Sequence, residues 1–259
     1  MPREGALVEV EGVVKRFGSI EALRGVSLRV EKGEVVGLLG PNASGKTTLL
    51  KLIMGFMRPD EGSVRVLGAD PYEEPAVRAR VGYVPEEVLL YDSLTVREFL
   101  YFLGRMRKMD PSTYMDRVRI LTTVFEMEDK LDCLIGSLSR GDKQRLAVIG
   151  ALMHEPEVLV LDEPIMGLDP VAARVFKEIT LELKGRGRGI LMSTHVLELA
   201  EALCDRIYVL HEGRVVAEGD VKSIRGLLGE DKSLEEVFLR LTEKDEVVEK
   251  LIAVLREEF

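Results

Sequence analysis

One glycine-rich loop constrains the fold of this chain more than any other feature. Residues 40–47 read GPNASGKT and match the pattern G-x-x-x-x-G-K-[ST] in full. The apolar residues 35–39 before the loop predict a buried strand, and residues 49–53 after it predict an amphipathic helix. A strand, a glycine loop and a helix in this order are the context in which the pattern binds phosphate. The sequence therefore predicts a site for a nucleoside triphosphate.

The residue types of the loop explain how it would hold phosphate. Gly40 and Gly45 let the backbone curl tightly, so that successive N–H groups point at one anion. The helix that follows adds the positive end of its dipole. Lys46, expected at an exposed helix N-terminus, would bind the β- and γ-phosphates, and Thr47 would offer its hydroxyl to Mg²⁺. The predicted contact residues are Gly40, Pro41, Asn42, Ala43, Ser44, Gly45, Lys46, Thr47 and Thr48.

The charge of the chain argues against a nucleic-acid-binding protein. Its 259 residues carry 45 acidic and 36 basic side chains, a formal net charge of −9, whereas nucleic-acid-binding surfaces are basic. We interpret the basic groups within residues 105–108 and 184–188 as solvated faces. No apolar run approaches the ~20 residues that a membrane-spanning helix needs. We therefore expect a soluble, intracellular protein that would serve a membrane only through a partner.

The apolar pattern alternates between strands and helices. Residues 7–14 and 26–30 predict strands before the phosphate loop, which indicates an antiparallel β layer. Short apolar strands then alternate with helices, as in a parallel sheet. The pattern is helical from residue 86 to about residue 130, and a further helix starts after it. The expected fold is α/β, with a parallel-sheet core, an antiparallel β layer and a helical insertion. The capping residues that predict helix starts are Thr95, Asp110 and Ser139.

Two carboxylates and a histidine follow predicted buried strands. Asp162 and Glu163 come directly after the apolar residues 158–161, and His195 follows the strand predicted at residues 190–193. Because ligands of parallel sheets bind at the carboxyl ends of the strands, we expect all three beside the phosphate loop. Asp162 would hold Mg²⁺ through its oxygens. Glu163 would orient and polarise the attacking water, and His195 would offer a hydrogen-bond donor to the γ-phosphate.

The order of these motifs resembles that of the ATP-binding-cassette (ABC) ATPases, and the resemblance covers about residues 6–242. Residues 138–145, LSRGDKQR, are similar to the family signature, which usually reads Leu-Ser-Gly-Gly-Gln. Residues 167–169, GLD, resemble the loop that communicates across the family's dimer. The resemblance implies a P-loop NTPase fold of ABC type, with ATP and Mg²⁺ as cofactors.

The resemblance also implies roles for single residues. Phe17 occupies the aromatic position that stacks on adenine. Glu86 stands where the family usually has a glutamine that senses Mg²⁺ and contacts the transmembrane partner. Glu163 corresponds to the catalytic base and His195 to the switch histidine.

A dimer follows from the same resemblance. In the family, each nucleotide lies between the phosphate loop of one subunit and the signature of its partner. This chain holds one of each, so we expect a homodimer or a heterodimer with another ABC ATPase subunit. Ser139, Gly141 and Asp169 would contribute to the nucleotide sites of that dimer. Arg140 and Asp142 depart from the usual signature, and we expect the Asp142 carboxylate to face sideways, away from phosphate.

The predicted domains are an ABC ATPase domain at residues 1–221, with a helical subdomain at about 86–150, and a C-terminal helical extension at 222–259. Residues 233–238 resemble the end of ATPases that serve exporters whose transmembrane permease is a separate subunit. The resemblance thus implies a location at the cytoplasmic face of the cell membrane. Residues 243–259 show one apolar helix face, which would pack on the chain's own domain or contact a partner. That face consists of Val247, Val248, Leu251, Ile252 and Leu255.

These features predict the ATP-hydrolysing subunit of an ABC transporter, of exporter type. One alternative is a non-transport ABC ATPase, for example one that assists iron–sulfur assembly. Another is a nucleotide-gated regulatory or scaffold module with little turnover, although intact Glu163 and His195 argue against it. An apolar cluster near Glu86 predicts either a docking groove for a partner helix or packing between the helical subdomain and the sheet. The cluster consists of Tyr83, Leu89, Leu90 and Tyr91.

Overall fold

The first sheet is antiparallel, as the sequence predicts. The computed structural model describes residues 6–226 and 233–242 of the chain, and this sheet has the strand order β2-β1-β4. Its inward-facing valines and leucines alternate with exposed polar residues, which is typical of a sheet with one face in the core. The strands are β1 (Ala6–Phe17), β2 (Ile20–Glu31) and β4 (Glu61–Val66).

The second sheet forms the centre of the molecule and has six strands in the order β5-β6-β7-β3-β8-β9. The first five strands in this order are parallel, and β9 pairs antiparallel with β8. Since β6, β7 and β3 are neighbours, the loops at their carboxyl ends meet at one edge of the sheet. The strands are β3 (Val35–Leu39), β5 (Val81–Val84), β6 (Val158–Asp162), β7 (Gly189–Thr194), β8 (Arg206–His211) and β9 (Arg214–Gly219).

Eight α-helices lie in the described part of the chain. The predicted caps are present: Thr95 forms a capping box with Glu98, and the side chains of Asp110 and Ser139 accept hydrogen bonds from their helices' first turns. The helices are α1 (Lys46–Ile53), α2 (Val96–Met106), α3 (Pro111–Val124), α4 (Arg140–Leu152), α5 (Pro170–Gly185), α6 (Leu197–Leu203), α7 (Val221–Gly226) and α8 (Leu234–Leu241).

The prediction of helical structure from residue 86 onward is wrong for its first ten residues. Residues 86–95 form a loop with turns, and α2 begins only at Val96. This loop pairs with the segment before α4, because the carbonyls of Asp92 and Leu94 accept hydrogen bonds from the N–H groups of Gly136 and Ile135 at 3.0 and 2.9 Å. These carbonyls are thus bonded to a distant part of the chain, and not to N–H groups within a helix.

Three apolar clusters hold the fold together. The first lies between the antiparallel sheet, α1 and one face of the parallel sheet. The second lies between the opposite face and helices α2 to α6. The third joins α6, α7 and α8 to β8. The parallel core, the antiparallel layer and the helical elements are therefore those that the sequence predicts. Within the described residues, no helix combines the length and apolar character needed to cross a bilayer. The predicted helix within residues 243–259 lies outside the described residues.

Arg107 corrects another expectation. The sequence predicts it on a solvated face, but its side chain is half-buried, and burial lowers the pKa of its guanidinium. The guanidinium donates to the carbonyls of Arg78 and Val81 at 2.8 and 3.4 Å. Arg107 therefore ties the end of α2 to the start of β5, at the border between the helical elements and the parallel sheet.

Candidate functional site: a phosphate-binding loop at the carboxyl edge of the parallel sheet

The glycine loop takes the backbone shape that phosphate binding requires. Gly45 has φ 108°, and a side chain there would lie 2.7 Å from the carbonyl oxygen of Ala22. Gly40 has no room for a Cβ between Ser44 and the carbonyl of Leu210. Ala43, at φ 65°, also adopts the left-handed region. The two glycines are therefore required both by conformation and by close approach of neighbouring strands.

Lys46 is buried rather than exposed, which corrects the sequence-based expectation. It is 8% exposed, and its ammonium donates to the carbonyls of Gly40 and Pro41 at 2.7 and 3.1 Å. The lysine thus lies along the inside of the loop, where its charge faces any anion held there. Its burial also means that it contributes to the shape of the loop.

A cavity of about 270 Å³ opens above the loop. It collects most of the predicted phosphate and metal ligands from four separate parts of the chain. Its lining consists of Ala22, Asn42, Ala43, Ser44, Gly45, Lys46, Thr47, Thr48, Glu86, Asp162 and Glu163.

Asp162 is a buried carboxylate with one oxygen available. It ends β6 and is paired in register with Ser193 of β7, whose hydroxyl donates to its Oδ1. Its Oδ2 is buried and has no hydrogen-bond partner among the described residues. A buried carboxylate oxygen without a donor is costly unless a cation or a donor meets it. The site therefore fits a divalent cation, whose preferred ligands are oxygens such as those of Asp162 and Thr47.

Glu163 is held by Thr194, the last residue of β7, and by His195, which follows it. Its Oε1 lies 2.9 Å from Nδ1 of His195, and its Oε2 accepts from the hydroxyl of Thr194 at 3.3 Å. Glu163 has φ 49°, an unfavourable conformation for a residue with a side chain. Its side chain is almost buried, whereas that of His195 is 54% exposed. A carboxylate only accepts, so the His195 ring donates from Nδ1 and presents Nε2 to the solvent side.

The start of α4 carries the signature residues. Ser139 caps the helix: its hydroxyl accepts from the Asp142 N–H at 3.1 Å and lies 2.6 Å from Asp142 Oδ2. Asp142 Oδ1 accepts from Lys130 at 2.6 Å. Although burial opposes it, these hydrogen bonds keep the pKa of Asp142 below its ordinary value. Asp142 is therefore ionised, paired and turned toward Lys130, as the sideways orientation requires. Gly141 approaches the Gly167 carbonyl so closely that a Cβ would lie 2.8 Å away.

Asp169 and Phe17 lie apart from the cavity lining. Asp169 caps α5 by accepting from the N–H groups of Val171 and Ala172, both at 3.0 Å, and it also pairs with Arg145 of α4. The Ala172 N–H first, and then Arg145, lower the pKa of Asp169. Phe17 ends β1 with 49% of its surface exposed. The Lys15 ammonium lies 5.7 Å from the centre of its ring, and Phe17 is on the same hairpin as the cavity residue Ala22.

Glu86 lies between two cavities. It lines the phosphate-loop cavity and also a neighbouring one of about 670 Å³ that reaches Leu138 and Arg140 at the start of α4. Burial first, and then the carboxylates of Asp162 and Glu86, raise the pKa of nearby Tyr83 to about 12. A carboxylate at position 86 therefore adds negative charge to this edge of the sheet.

Sequence reasoning missed four residues that shape the site. Ser193 and Thr194 are fully buried, yet their hydroxyls bind the two carboxylates. A signal for them existed, since both are polar residues at the end of a predicted buried strand. The buried Gln144 donates to the carbonyl of Pro164 at 2.9 Å and so links α4 to the residue after Glu163. Nothing in the sequence pattern points to Lys130 as the partner of Asp142.

Comparison with known proteins places these features in a family. Residues 23–166 match the profile of the family described as ABC transporter. The Nod factor export ATP-binding protein I of Burkholderia lata is 43% identical over 215 residues, which is 83% of this chain and 71% of that protein. The ABC transporter ATP-binding protein NatA of Bacillus subtilis is 38% identical over 207 residues, or 79% of this chain and 84% of that protein.

Solved structures similar to this chain belong to the same family. An ATP-binding subunit of an ABC transporter superposes with a TM-score of 0.87 at 35% identity, covering 91% of this chain and 99% of that one. A dimeric bacterial ABC transporter cassette gives a TM-score of 0.74 at 26% identity over 82% of this chain and 98% of its own. That cassette is also known in a post-hydrolysis state bound to ADP and Pi. Such cassettes form dimers and work with the membrane subunits of transporters. This chain therefore belongs to the ABC transporter family, as an ATP-binding subunit with ATPase activity.

Proposed function

We propose that this chain powers an exporter by hydrolysing Mg²⁺·ATP at a site shared between two cassettes. The observation that carries the proposal is the position of Glu163. It lies at the carboxyl edge of the sheet, between His195 and Thr194 and in the lining of the phosphate-loop cavity. That is where a residue must lie to orient water against a γ-phosphate.

Three residues of the cavity suit a magnesium ion. Thr47 offers a hydroxyl and Glu86 a carboxylate, and the buried Oδ2 of Asp162 is free of protein donors among the described residues. When bound, Mg²⁺ would supply positive charge that offsets the negative charge of the β- and γ-phosphates. Glu86 supports this assignment with a carboxylate, a stronger oxygen ligand for a hard cation than the usual glutamine amide.

Different residues of the chain would then have different roles in ATP hydrolysis. The N–H groups of residues 42–48 and the Lys46 ammonium bind and orient the phosphates. Glu163 holds the attacking water and accepts its proton. His195 fixes the Glu163 carboxylate through Nδ1 and faces the phosphate through Nε2, which is a donor only when the ring is protonated.

A second cassette would complete the site. Ser139 and Gly141 lie at the N-terminus of α4, where the positive end of the helix dipole favours an anion. We propose that they contact the nucleotide of the partner, which is another copy of this chain or a related ATPase. Phe17 would stack on adenine with its exposed face, and Asp169 would lie near the dimer contact through the loop that precedes α5.

A separate permease in the cell membrane would receive the motion, with this chain at the cytoplasmic face. Export is supported by the names of the similar Nod factor export proteins. The exposed side chains of Leu89 and Tyr91, 80% and 58% accessible, support docking beside Glu86. In this proposal residues 1–221 are the ATPase domain, with a helical subdomain at about 86–150, and residues 222–259 form an extension.

The experiment is reconstitution with the permease in lipid vesicles. With the chain and ATP on the outside only, an exporter moves its substrate into the vesicle, away from the ATP-containing side. ATP-dependent movement in the opposite direction would contradict export. ATP hydrolysis that does not respond to the permease would contradict the transport role itself.

A further inference from the structure

The last two residues of β7, Ser193 and Thr194, hold the two carboxylates at the end of β6, and each hydroxyl binds a different carboxylate. Ser193 is fully buried beside Asp162, which is itself 1% exposed. The Ser193 hydroxyl donates its hydrogen to Asp162 Oδ1. Its oxygen, Oγ, accepts a hydrogen bond from the Glu163 N–H at 3.3 Å. Thr194 instead donates to Glu163 Oε2.

The parallel register of the two strands causes this arrangement. Asp162 pairs directly with Ser193, so their side chains project from the same face of the sheet. The serine hydroxyl has one hydrogen, and the Glu163 N–H occupies a lone pair, so the hydrogen is directed at Asp162. The serine therefore sets the rotation of the Asp162 carboxyl group and leaves Oδ2 as its unpaired oxygen.

We propose that Ser193 is a positioning residue for the divalent cation: it rotates the Asp162 carboxylate so that Oδ2 faces the metal position, and Thr194 does not share this role. The inference rests on the proposed use of Mg²⁺·ATP. Residues that orient a metal ligand by hydrogen bonding affect metal affinity by about 10- to 100-fold in other proteins.

Removing the hydroxyl should leave the strand intact. The Glu163 N–H also donates to the backbone carbonyl of Ser193 at 3.1 Å, and this bond survives in Ser193→Ala. The variant loses a single oxygen atom from a packed site. Its effect is therefore concentrated on the orientation of Asp162.

The test measures metal binding without turnover. ADP affinity is determined by calorimetry in EDTA and in Mg²⁺, and Mn²⁺ binding to the ADP complex is followed by electron paramagnetic resonance. We expect Ser193→Ala to bind ADP normally in EDTA but to lose about 10-fold or more of Mg²⁺-dependent affinity, with Mn²⁺ binding weakened equally. Ser193→Thr, which keeps a hydroxyl, should recover at least half of the lost Mg²⁺-dependent affinity, measured on a logarithmic scale.

Thr194→Val is the matched control. It removes the neighbouring hydroxyl, so it should keep Mn²⁺ affinity within about 2-fold of wild type while hydrolysis slows. Equal Mn²⁺ affinity in Ser193→Ala and wild type would overturn the inference, as would an equal loss in Thr194→Val. If the wild-type protein itself gained no ADP affinity from Mg²⁺, the proposed Mg²⁺·ATP function would fail instead. Circular dichroism and melting temperature identify any variant whose loss reflects unfolding.

Discussion

At the scale of single residues, Glu163 occupies a backbone conformation that costs energy. Its φ of 49° is retained because its N–H and Oε2 are bonded to Ser193 and Thr194 of β7, and its Oε1 to His195 just after that strand. Backbone strain of this kind is common at active sites, where contacts with several neighbouring residues keep the strained residue in place. The side chain has little freedom to move away from the cavity.

We therefore expect Glu163→Gln to separate binding from hydrolysis. The amide keeps the shape of the side chain but is a poor base, so ATP hydrolysis should fall by about 10²-fold or more while ATP affinity is retained. Phosphate release and ATP titration measure the two effects. In the presence of Mg²⁺·ATP the variant should also accumulate as a dimer in size-exclusion chromatography.

The control for this substitution is Glu155→Gln. Glu155 is another glutamate with positive φ, 51°, but it is exposed and pairs with Arg117. Its loss of charge should leave hydrolysis unchanged. Wild-type turnover in Glu163→Gln would rule out Glu163 as the catalytic base.

Lys46 combines a binding role with a structural one. In Lys46→Ala we expect ATP affinity to fall by about 10²-fold, since a charge-assisted hydrogen bond contributes about 1.5–3 kcal/mol. The carbonyls of Gly40 and Pro41 also lose their donor, so the melting temperature should fall by a few degrees.

Lys51, an exposed lysine in the last turn of the same helix, is the matched control. Lys51→Ala should keep both ATP affinity and melting temperature. A second substitution at a distant surface position can restore the net charge of the protein. If Lys46→Ala still unfolded the protein in that background, the main role of the lysine would be structural.

At the scale of elements, the loop at residues 86–95 has two different faces. The side chain of Leu89 is 80% exposed, whereas Leu90 packs against the second apolar cluster. Tyr83 likewise packs against the first cluster, and Tyr91 is exposed but contacts Phe99 and Phe102. The docking prediction thus applies to Leu89 and Tyr91, and the packing alternative describes Leu90 and Tyr83.

The adjacent pair Leu89 and Leu90 offers a direct comparison. Leu89→Asp should change the free energy of unfolding by less than about 0.5 kcal/mol yet reduce stimulation of ATPase activity by the permease. Leu90→Asp should destabilise the fold by at least about 2 kcal/mol, because it places a carboxylate against an apolar cluster. Thermal unfolding and permease-stimulated hydrolysis distinguish the two. Full coupling in Leu89→Asp would exclude this side chain from the interface.

At the scale of the whole molecule, a small polar contact joins the helical elements to the parallel sheet beside the second apolar cluster. The Val81 carbonyl accepts from Arg107, which follows α2, and from Nε2 of His154, which follows α4. Burial first, and then the Arg107 guanidinium, lower the pKa of His154 from 6.5 to about 4. The folded protein therefore holds this histidine neutral.

This contact predicts an acid-sensitive fold. As the pH falls below about 6.5, the unfolded chain binds a proton at position 154 that the folded chain does not take up until about pH 4. Stability attributable to His154 is thus intact above pH 6.5 and falls by about 2 kcal/mol at pH 5. Urea unfolding between pH 8 and pH 5 measures the loss.

His154→Gln tests the assignment, since glutamine can donate to the Val81 carbonyl and does not titrate. The difference in unfolding free energy between variant and wild type should be constant above pH 7 and shift in favour of the variant as the pH falls to 5. Parallel curves over the whole range would show that other groups cause the acid sensitivity.

Much of the fold and site follows from the sequence, because the responsible patterns are contiguous. A glycine loop between a strand and a helix, a carboxylate pair after four apolar residues, and caps such as Thr95 and Asp110 depend on local backbone geometry. The rule that ligands meet the carboxyl ends of parallel strands then brings Asp162, Glu163 and the phosphate loop together, and the lining of the cavity agrees.

Only the tertiary structure decided the contacts between parts of the chain that are distant in sequence. The order and register of β6 and β7 pair Asp162 with Ser193, and a shift of one residue would turn that hydroxyl to the other face. The loop at residues 86–95 bonds to residues 135–136 and packs Leu90 against the second apolar cluster, while Leu89 is exposed. Residue type alone carries no information on such pairings, because burial of Lys46 or Arg107 depends on which carbonyls the folded chain brings within reach of the side chain.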